Sequence, residues 1–386
     1  MSQRLIALAT SALLIGGLFV GAPARVRADT DTVYVADVAS AGVGGSCSAP
    51  DYATGNFDHD VAIQAAINEV DLDATLTTVY LCDGTYNITT TLEPSADIIL
   101  KGANAATTIL DGGAIYIVDH WLSGGVSIIF SLSSVTVEGL TFRRGANLSV
   151  RVEGDRKTWG GGAINAHLVT VIDSTFTQNK ASDGGAIWTF GPSTIEGDSV
   201  FTGNTALYGG AIFYYSGEDL TIQGSSEFAA NQANTGGAIY SWGHTLVTNG
   251  TFSDNASECN GGAIVVNSDV TVASSTFTDN VTDCNGGAIF AETATIARSR
   301  FTRNMAVEHG GAVYVDEVTA DNFSQLRRNT FTGNRADSGG AITLRSCDVI
   351  TRSQATRVEQ ANRFLGNRAT EQRRTRNVER WLVGCS

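Results

Sequence analysis

Hydrophobic and polar positions along this chain repeat in register, as two interlocked motifs. Gly-Gly-Ala-Ile, with one Gly-Gly-Ala-Val variant, recurs at intervals of 23 to 29 residues. These motifs begin at Gly161, Gly184, Gly209, Gly236, Gly261, Gly286, Gly310 and Gly339. Phe-x-x-Asn units alternate with them and begin at Phe176, Phe201, Phe228, Phe252, Phe277, Phe301, Phe331 and Phe364. Self-similarity at a nearly fixed period indicates a repeat architecture.

One repeat, from Val270 onward, shows which elements the pattern predicts. Its short alternating apolar stretches predict strands, with Val270, Val272 and Phe277 pointing inward. Asn280 follows at a predicted turn, where asparagine tolerates a left-handed backbone. Gly286 and its neighbouring glycine then form a second tight corner before the next strand. Each repeat therefore contains short strands and corners but no helical period.

Such a repeat describes one coil of a solenoid, because a single coil buries its apolar face only against neighbouring coils. Stacked coils place like residues over like residues every ~4.8 Å. A leucine-rich horseshoe is the alternative, but its Leu-x-x-Leu-x-Leu pattern is absent. We therefore predict an all-β fold, a right-handed parallel β-helix.

The N-terminal end of the β-helix is predicted to carry a short capping helix. Asp58 or Asp60 is a suitable N-cap, and the apolar positions that follow recur at helical spacing. They are Ala62, Ile63, Ala66, Ile67 and Val70. Strands are expected at Thr78 to Cys82 and Ile98 to Lys101. The predicted organisation is a signal peptide (1–28), a cap with entry coils (29–111), β-helix repeats (112–344) and an arginine-rich C-terminal coil and tail (345–386).

The first residues predict export. Arg4 precedes an apolar run from Leu5 to Val20, and an Ala-x-Ala-like cleavage site ends at Ala28. An uncleaved anchor is the alternative, but the run is shorter than the roughly 20 residues of a spanning helix. We expect a secreted or extracellular monomer without a membrane span after signal removal. Association with the cell surface or outer membrane is the narrower alternative.

Charge is distributed unevenly along the chain. The net charge is −14, but the segment from Arg345 onward contains nine arginines and four acids, giving about +5. The acidic remainder argues against nucleic acid, whose binding depends on neutralising phosphates. We interpret the basic tail as solvated charge, with contact to an anionic surface as the alternative.

Six cysteines suit an oxidising compartment. Cys259 and Cys284 lie one 25-residue coil apart, so stacking brings their Cα atoms within disulfide range. Sequence alone does not fix the connectivity of the other four. By elimination, we favour Cys47 with Cys82 and Cys347 with Cys385.

Gly-Gly-Ala-Ile in alternation with Phe-x-x-Asn resembles the repeats of polymorphic outer membrane proteins, best known as chlamydial surface adhesins. The resemblance covers roughly Gly160 to Asn367. The N-terminal part, including Ile63 to Ile67 and Leu81 to Tyr86, is similar to the entry coils of pectin-lyase-like β-helices. The resemblance implies a passenger-like β-helix with an adhesin role.

An aromatic surface is the first candidate site. Strand alternation predicts that the first and third residues after each Gly-Gly-Ala-Ile point outward. On three neighbouring coils all of these are aromatic, namely Trp188, Phe190, Phe213, Tyr215, Tyr240 and Trp242. A contiguous exposed apolar surface usually marks an interaction site. We expect these rings to bind a ligand, with rings that merely cover the strands as the alternative.

The next coils are polar on the same face. Glu292 and Asp316 are placed ~5 Å apart by the coil rise, near the ~5–5.5 Å separation of retaining glycosidases. Glu292, Asp316 and Arg345 are therefore catalytic candidates, and Asn267, Glu292 and Asp316 are candidate Ca²⁺ ligands. Solvated surface charge is the default interpretation, and no cofactor is expected, with Ca²⁺ as the alternative.

These features favour a non-enzymatic β-helix that binds a glycan, or a protein of a host or neighbouring cell surface, through its aromatic face. A polysaccharide lyase or glycoside hydrolase of pectin-lyase-like fold is the first alternative. A structural surface spacer without a ligand is the second.

Overall fold

The computed structural model describes residues 31–38, 45–55, 58–113, 117–118, 121–122, 127–147, 160–317, 325–346, 352–370 and 378–382. The predicted signal peptide and the Cys347–Cys385 pairing lie outside these residues. The boundaries between the four predicted segments remain predictions.

The described chain is a parallel β-helix built from three sheets, whose strands pair from one coil to the next. Sheet 1 contains the strands that follow the Gly-Gly pairs and those after the next bend: Thr32–Ala36, Tyr52–Ala53, Thr78–Leu81, Ile98–Gly102, Ile129–Glu138, Ile164–Ile172, Ile187–Thr189, Ser193–Glu196, Ile212–Tyr214, Leu220–Ile222, Ile239–Ser241, Thr245–Thr248, Ile264–Ala273, Ile289–Ala297, Val313–Val315, Gln325–Arg327, Ile342–Ser346 and Val378–Leu382.

Sheet 2 contains the phenylalanine strands, preceded by two strands with Tyr86 and Leu110 at the same position: Gly84–Asn87, Thr108–Asp111, Thr141–Arg143, Thr175–Thr177, Val200–Thr202, Glu227–Ala229, Thr251–Ser253, Thr276–Thr278, Arg300–Thr302, Thr330–Thr332 and Arg363–Leu365. Sheet 3 consists of two-residue strands in two pairing groups: Ala146–Asn147 and Lys180–Ala181; Gln232–Ala233, Ala256–Ser257, Val281–Thr282, Met305–Ala306, Arg335–Ala336 and Arg368–Ala369. An antiparallel pair joins Ile117–Val118 to Trp121–Leu122.

The Gly-Gly corners require glycine at both positions. Gly286 has a φ of 71°, in the left-handed region that favours glycine. A Cβ on Gly287 would overlap the carbonyl oxygen of Gly311 in the next coil. The repeated Gly-Gly pair therefore closes each coil tightly enough to stack on the next.

Phenylalanine forms a continuous stack through the core. Neighbouring rings from Phe142 to Phe364 have centroids 4.7 to 5.1 Å apart and planes within 3° to 11° of parallel. The isoleucines that follow the Gly-Gly-Ala motifs, such as Ile239 and Ile264, are equally buried. The predicted inward positions Val270, Val272 and Phe277 are confirmed. The ladders give the molecule one shared core.

Asparagine forms a second buried ladder, but its turn differs from the prediction. Asn280 is fully buried, and Asp279 before it holds the left-handed conformation, with a φ of 56°. The prediction that Asn280 itself is left-handed is therefore wrong. Its side chain is needed inside the core, where the Asn280 amide donates to the Phe252 carbonyl and to Asn304 Oδ1.

In the part of the chain that the structure describes, two helices flank the coils. Helix α1 spans His59–Leu72 with Asp58 as N-cap, and its predicted apolar stripe is buried against the first coils, which confirms the capping helix. Asp58 makes no side-chain cap bond, whereas Asp60 accepts hydrogen bonds from Thr89 and Thr90. Helix α2 spans Arg352–Ala361 and was not predicted. None of the helices in the described ranges is long and apolar enough to cross a membrane.

Two of the predicted disulfides are present. Cys259 and Cys284 have Cα atoms 4.9 Å apart, the separation that one coil rise imposes. Cys47 and Cys82 are bridged near α1, with Cα atoms 5.6 Å apart. The bridge between Cys259 and Cys284 confirms the coil register from which it was predicted. The stacked parallel strands confirm the all-β fold class.

Candidate functional site

The outer face of sheet 1 carries two columns of side chains, defined by their distance from each Gly-Gly-Ala motif. The first column holds the first residue after each Gly-Gly-Ala-Ile or Val, and the strand register aligns these residues directly: Asn165, Trp188, Phe213, Tyr240, Val265, Phe290, Tyr314 and Thr343. The other column holds the third residue after each motif, and we call it the third column for that reason. Its members are His167, Phe190, Tyr215, Trp242, Asn267, Glu292, Asp316 and Arg345.

The first column is largely covered, contrary to the prediction of exposed rings. Phe213 is only 5% exposed, and Trp188 and Tyr240 are half-buried. The Phe213 and Tyr240 rings stack with centroids 5.4 Å apart. Tyr208, which directly precedes Gly209, packs edge-on against Tyr240, with ring centroids 5.3 Å apart. Strand alternation gives the direction of these side chains but not the neighbours that bury them.

Trp188 contributes packing rather than a polar contact to this face. Its ring lies 5.1 Å from the half-buried Phe190 ring, which in turn packs 4.8 Å from the His167 ring. The indole nitrogen is buried and has no hydrogen-bond partner among the described residues. Trp188 therefore does not present its N–H to a ligand at the surface.

The accessible part of the aromatic surface lies mainly in the third column. Tyr215 is 56% exposed and Trp242 is 48% exposed, and they occupy adjacent coils. Their ring centroids are 6.0 Å apart at an interplanar angle of 76°. Tyr208 adds a ring that is 41% exposed and that the two-column pattern missed. Its position directly before a Gly-Gly pair forms a separate column with Asp183 and Thr235, which the repeat alignment could have shown.

Asn267 joins the aromatic part of the face to its polar part. Its amide donates a 2.8 Å hydrogen bond to the Tyr240 hydroxyl in the preceding coil. Burial raises the pKa of Tyr240, which keeps this hydroxyl protonated. Asn267 is therefore held in place beside the rings.

A shallow cavity of about 110 Å³ follows Asn267 along the axis. Its lining includes three of the predicted polar site residues, and all of its lining residues come from neighbouring coils: Val266, Asn267, Phe290, Glu292, Asp316 and Glu317. The structure thus brings Asn267, Glu292 and Asp316 together. Arg345 reaches the same cluster and donates a 2.7 Å hydrogen bond to Asp316.

The carboxylates of this cavity have different electrostatic environments. Asp316 is neutralised by the Arg345 guanidinium, and both side chains are about one third exposed. Burial and the neighbouring negative charge of Glu317 raise the pKa of Glu292. Glu292 therefore holds a proton more readily than a glutamate in water does.

These positions do not form a dense metal-ligand cluster. In the described part of the chain, no group of three or more His, Cys, Asp or Glu side chains is placed to hold a metal ion. Asn267, Glu292 and Asp316 supply an amide and two carboxylates, and one of the carboxylates is paired with Arg345. Ca²⁺ binding by these three residues stays a prediction.

The repeats match two family models. Residues 195–355 match the model described as "Right handed beta helix region", and residues 173–189 match the "Chlamydia polymorphic membrane protein (Chlamydia_PMP) repeat". No curated protein and no solved structure matches the chain. The matches and the stacked parallel strands agree on the same architecture. The chain is a right-handed parallel β-helix in which one stretch, residues 173–189, matches the polymorphic membrane protein repeat.

Proposed function

We propose that this protein is an exported, passenger-like surface β-helix that binds a carbohydrate chain along the third column of its outer face. The observation that carries the proposal is the exposed pair Tyr215 and Trp242 on adjacent coils. Such rings bind the apolar faces of sugars because they bury a large apolar area while little of their conformational freedom is lost. The match to a polymorphic membrane protein repeat supports placement at a cell surface.

The polar half of the column supports a carbohydrate over a purely apolar partner. Asn267, Glu292 and Asp316 continue the line of Tyr215 and Trp242 on the next three coils. Amide and carboxylate oxygens accept hydrogen bonds from sugar hydroxyls. A sugar chain parallel to the helix axis would thus contact rings at one end and hydrogen-bonding groups at the other.

A glycan array tests this proposal. The purified chain, with and without Ca²⁺, is expected to bind a defined set of carbohydrates. The Tyr215→Ala and Trp242→Ala double variant is expected to lose that set, because the accessible rings are gone. An array without a bound carbohydrate would contradict the proposal, as would a set that the double variant binds equally well.

A polysaccharide lyase or glycoside hydrolase is the second candidate, favoured by the raised pKa of Glu292 beside a cavity. A carboxyl group that retains its proton can serve as a general acid. The Glu292→Gln and Asp316→Asn double variant would abolish product release from a bound polysaccharide if the site is catalytic. If the protein only binds carbohydrate, the unmodified chain releases no product. The Glu292→Gln and Asp316→Asn variant then weakens binding far less than the Tyr215→Ala and Trp242→Ala variant does.

A further inference from the structure

Five exposed arginines lie together on the C-terminal coils, away from the aromatic columns. They stand at the corner where sheet 1 turns into sheet 2, and we call them the arginine corner: Arg298, Arg300, Arg327, Arg328 and Arg363. Arg363 belongs to the predicted basic tail from Arg345, and the other four extend the basic character to earlier coils.

The coil register fixes how these side chains are spaced. Arg300 is aligned with Thr330, and Thr330 with Arg363, on three successive strands of sheet 2. Arg298 and Arg328 occupy the left-handed turn position of neighbouring coils, with φ angles of 53° and 58°. One coil rise is ~4.8 Å, so charges recur along the helix axis at intervals of about 5 to 10 Å.

The arginines of the corner lack the ion pairs that four other described arginines make, as do Arg335 and Arg368 on sheet 3. Arg143 and Arg144 pair with Asp111, Arg303 pairs with Asp279, and Arg345 pairs with Asp316. No ion pair reaches any arginine of the corner within the described ranges, although Glu359 lies on the adjacent helix α2. The corner therefore keeps about five unneutralised positive charges on a chain whose net charge is −14.

We propose that the arginine corner binds an anionic polysaccharide that carries carboxylate or sulfate groups. The chain has 22 arginines and three lysines, and guanidinium groups bind such anions through paired hydrogen bonds. A polymer with charges along its length matches a row of guanidinium groups at coil intervals. The Thr330 hydroxyl, between Arg300 and Arg363, adds a donor and an acceptor for sugar hydroxyls.

The composition of the corner favours a polysaccharide over a membrane surface. The corner itself consists of arginine and threonine, which do not insert among acyl chains, and Leu365 is a single exposed apolar side chain on the Arg363 strand. A rigid sheet also holds its charges at fixed intervals, which suits a partner that has a repeat of its own.

Dextran sulfate and uncharged dextran provide the test, with binding measured by calorimetry at low and high salt. We expect dextran sulfate to bind at low salt, to weaken as salt screens the charges, and uncharged dextran not to bind. The Arg300→Gln and Arg328→Gln double variant should weaken dextran sulfate binding at least tenfold. The Arg335→Gln and Arg368→Gln double variant removes the same amount of charge from sheet 3, on the coils of Arg328 and Arg363, and should change dextran sulfate binding less than threefold.

Equal losses in the two double variants would overturn the proposal, because they would indicate a response to net charge alone. It would also be overturned by binding to phosphatidylglycerol vesicles in the absence of dextran sulfate binding. A dimer that only the Arg300→Gln and Arg328→Gln variant loses would assign the corner to a second copy of the chain instead. Tyr215→Ala with Trp242→Ala should leave dextran sulfate binding unchanged, which separates this site from the aromatic face.

Discussion

Every polar side-chain atom of Asn280 is bonded inside the core. Its amide nitrogen donates to the Phe252 carbonyl and to Asn304 Oδ1, and its Oδ1 accepts from the backbone and side chain of Asn255. Such networks are stable when fully satisfied and costly when one member is missing. The repeat predicted which asparagines align. It did not predict that the residue before each asparagine takes the left-handed conformation. That conformation depends on the direction in which the asparagine side-chain amide must point.

Replacement of Asn280 by alanine should therefore be strongly destabilising. The change removes the side-chain donor to the Phe252 carbonyl and the acceptor of the Asn255 backbone N–H, both in the core. At about 1 to 3 kcal/mol for each unsatisfied group, we expect a loss of roughly 3 kcal/mol in the free energy of unfolding, measured in urea. Asn234→Ala, at an exposed position, should change it by less than about 0.5 kcal/mol. Equal effects of both variants would contradict the ladder account.

Glu292 should make stability depend on pH in a defined direction. Its pKa is raised in the folded state, mainly by burial and then by Glu317, so its contribution to stability is present at low pH and is lost as pH rises through the folded pKa. Glu292→Gln should therefore raise the urea midpoint at pH 7 and have no such effect near pH 3. In a Glu317→Gln background the gain at pH 7 should shrink. A gain of the same size at both pH values would contradict this assignment.

At the scale of elements, patterns with a strong period were predictable and those without one were not. Helix α1 was predicted because its apolar stripe faces the first coils. Helix α2 carries no such stripe; Val358 is its buried apolar residue among those whose burial is described. The outer columns were assigned to the correct face by strand alternation. Phe213 was still misjudged, because Tyr208 and the stacked rings of neighbouring coils cover this part of the face.

The bridge between Cys259 and Cys284 tests the coil register directly. Peptide mapping under non-reducing conditions should recover these two cysteines linked, since their Cα atoms lie 4.9 Å apart on adjacent coils. Replacement of both by serine should lower the free energy of unfolding by about 3 kcal/mol, because a loop of 25 residues is no longer closed in the unfolded chain. Recovery of both as free thiols from exported protein would contradict the register.

Across the whole molecule, the stacking of coils aligns residues at equivalent repeat positions into continuous surfaces. Eight copies of each motif specify the fold together, since every repeat independently indicates the same coil. The ligand surfaces are not repeated in this way. Exposed aromatic residues occupy a few coils of sheet 1, and unpaired arginines occupy a different corner near the C-terminal end. Because such residues vary from coil to coil, the sequence predicted the face that could bind but not which side chains remain accessible.

The central claim is that Tyr215 and Trp242 form a binding surface rather than part of the packed structure. Calorimetric titration with the strongest carbohydrate from the array, combined with thermal unfolding, tests it on three proteins. These are the unmodified chain, the Tyr215→Ala and Trp242→Ala variant, and a control variant with Tyr34→Ala and Tyr80→Ala. The control removes another neighbouring ring pair from sheet 1, with centroids 5.1 Å apart.

We expect the Tyr215 and Trp242 variant to lose at least tenfold in affinity, or about 1.4 kcal/mol. Its melting temperature should stay within about 2 °C of the unmodified chain, because roughly half of each ring is already exposed and little core area is lost. The control should bind with unchanged affinity. Unchanged affinity in the Tyr215 and Trp242 variant, or an equal loss in the control, would contradict the account.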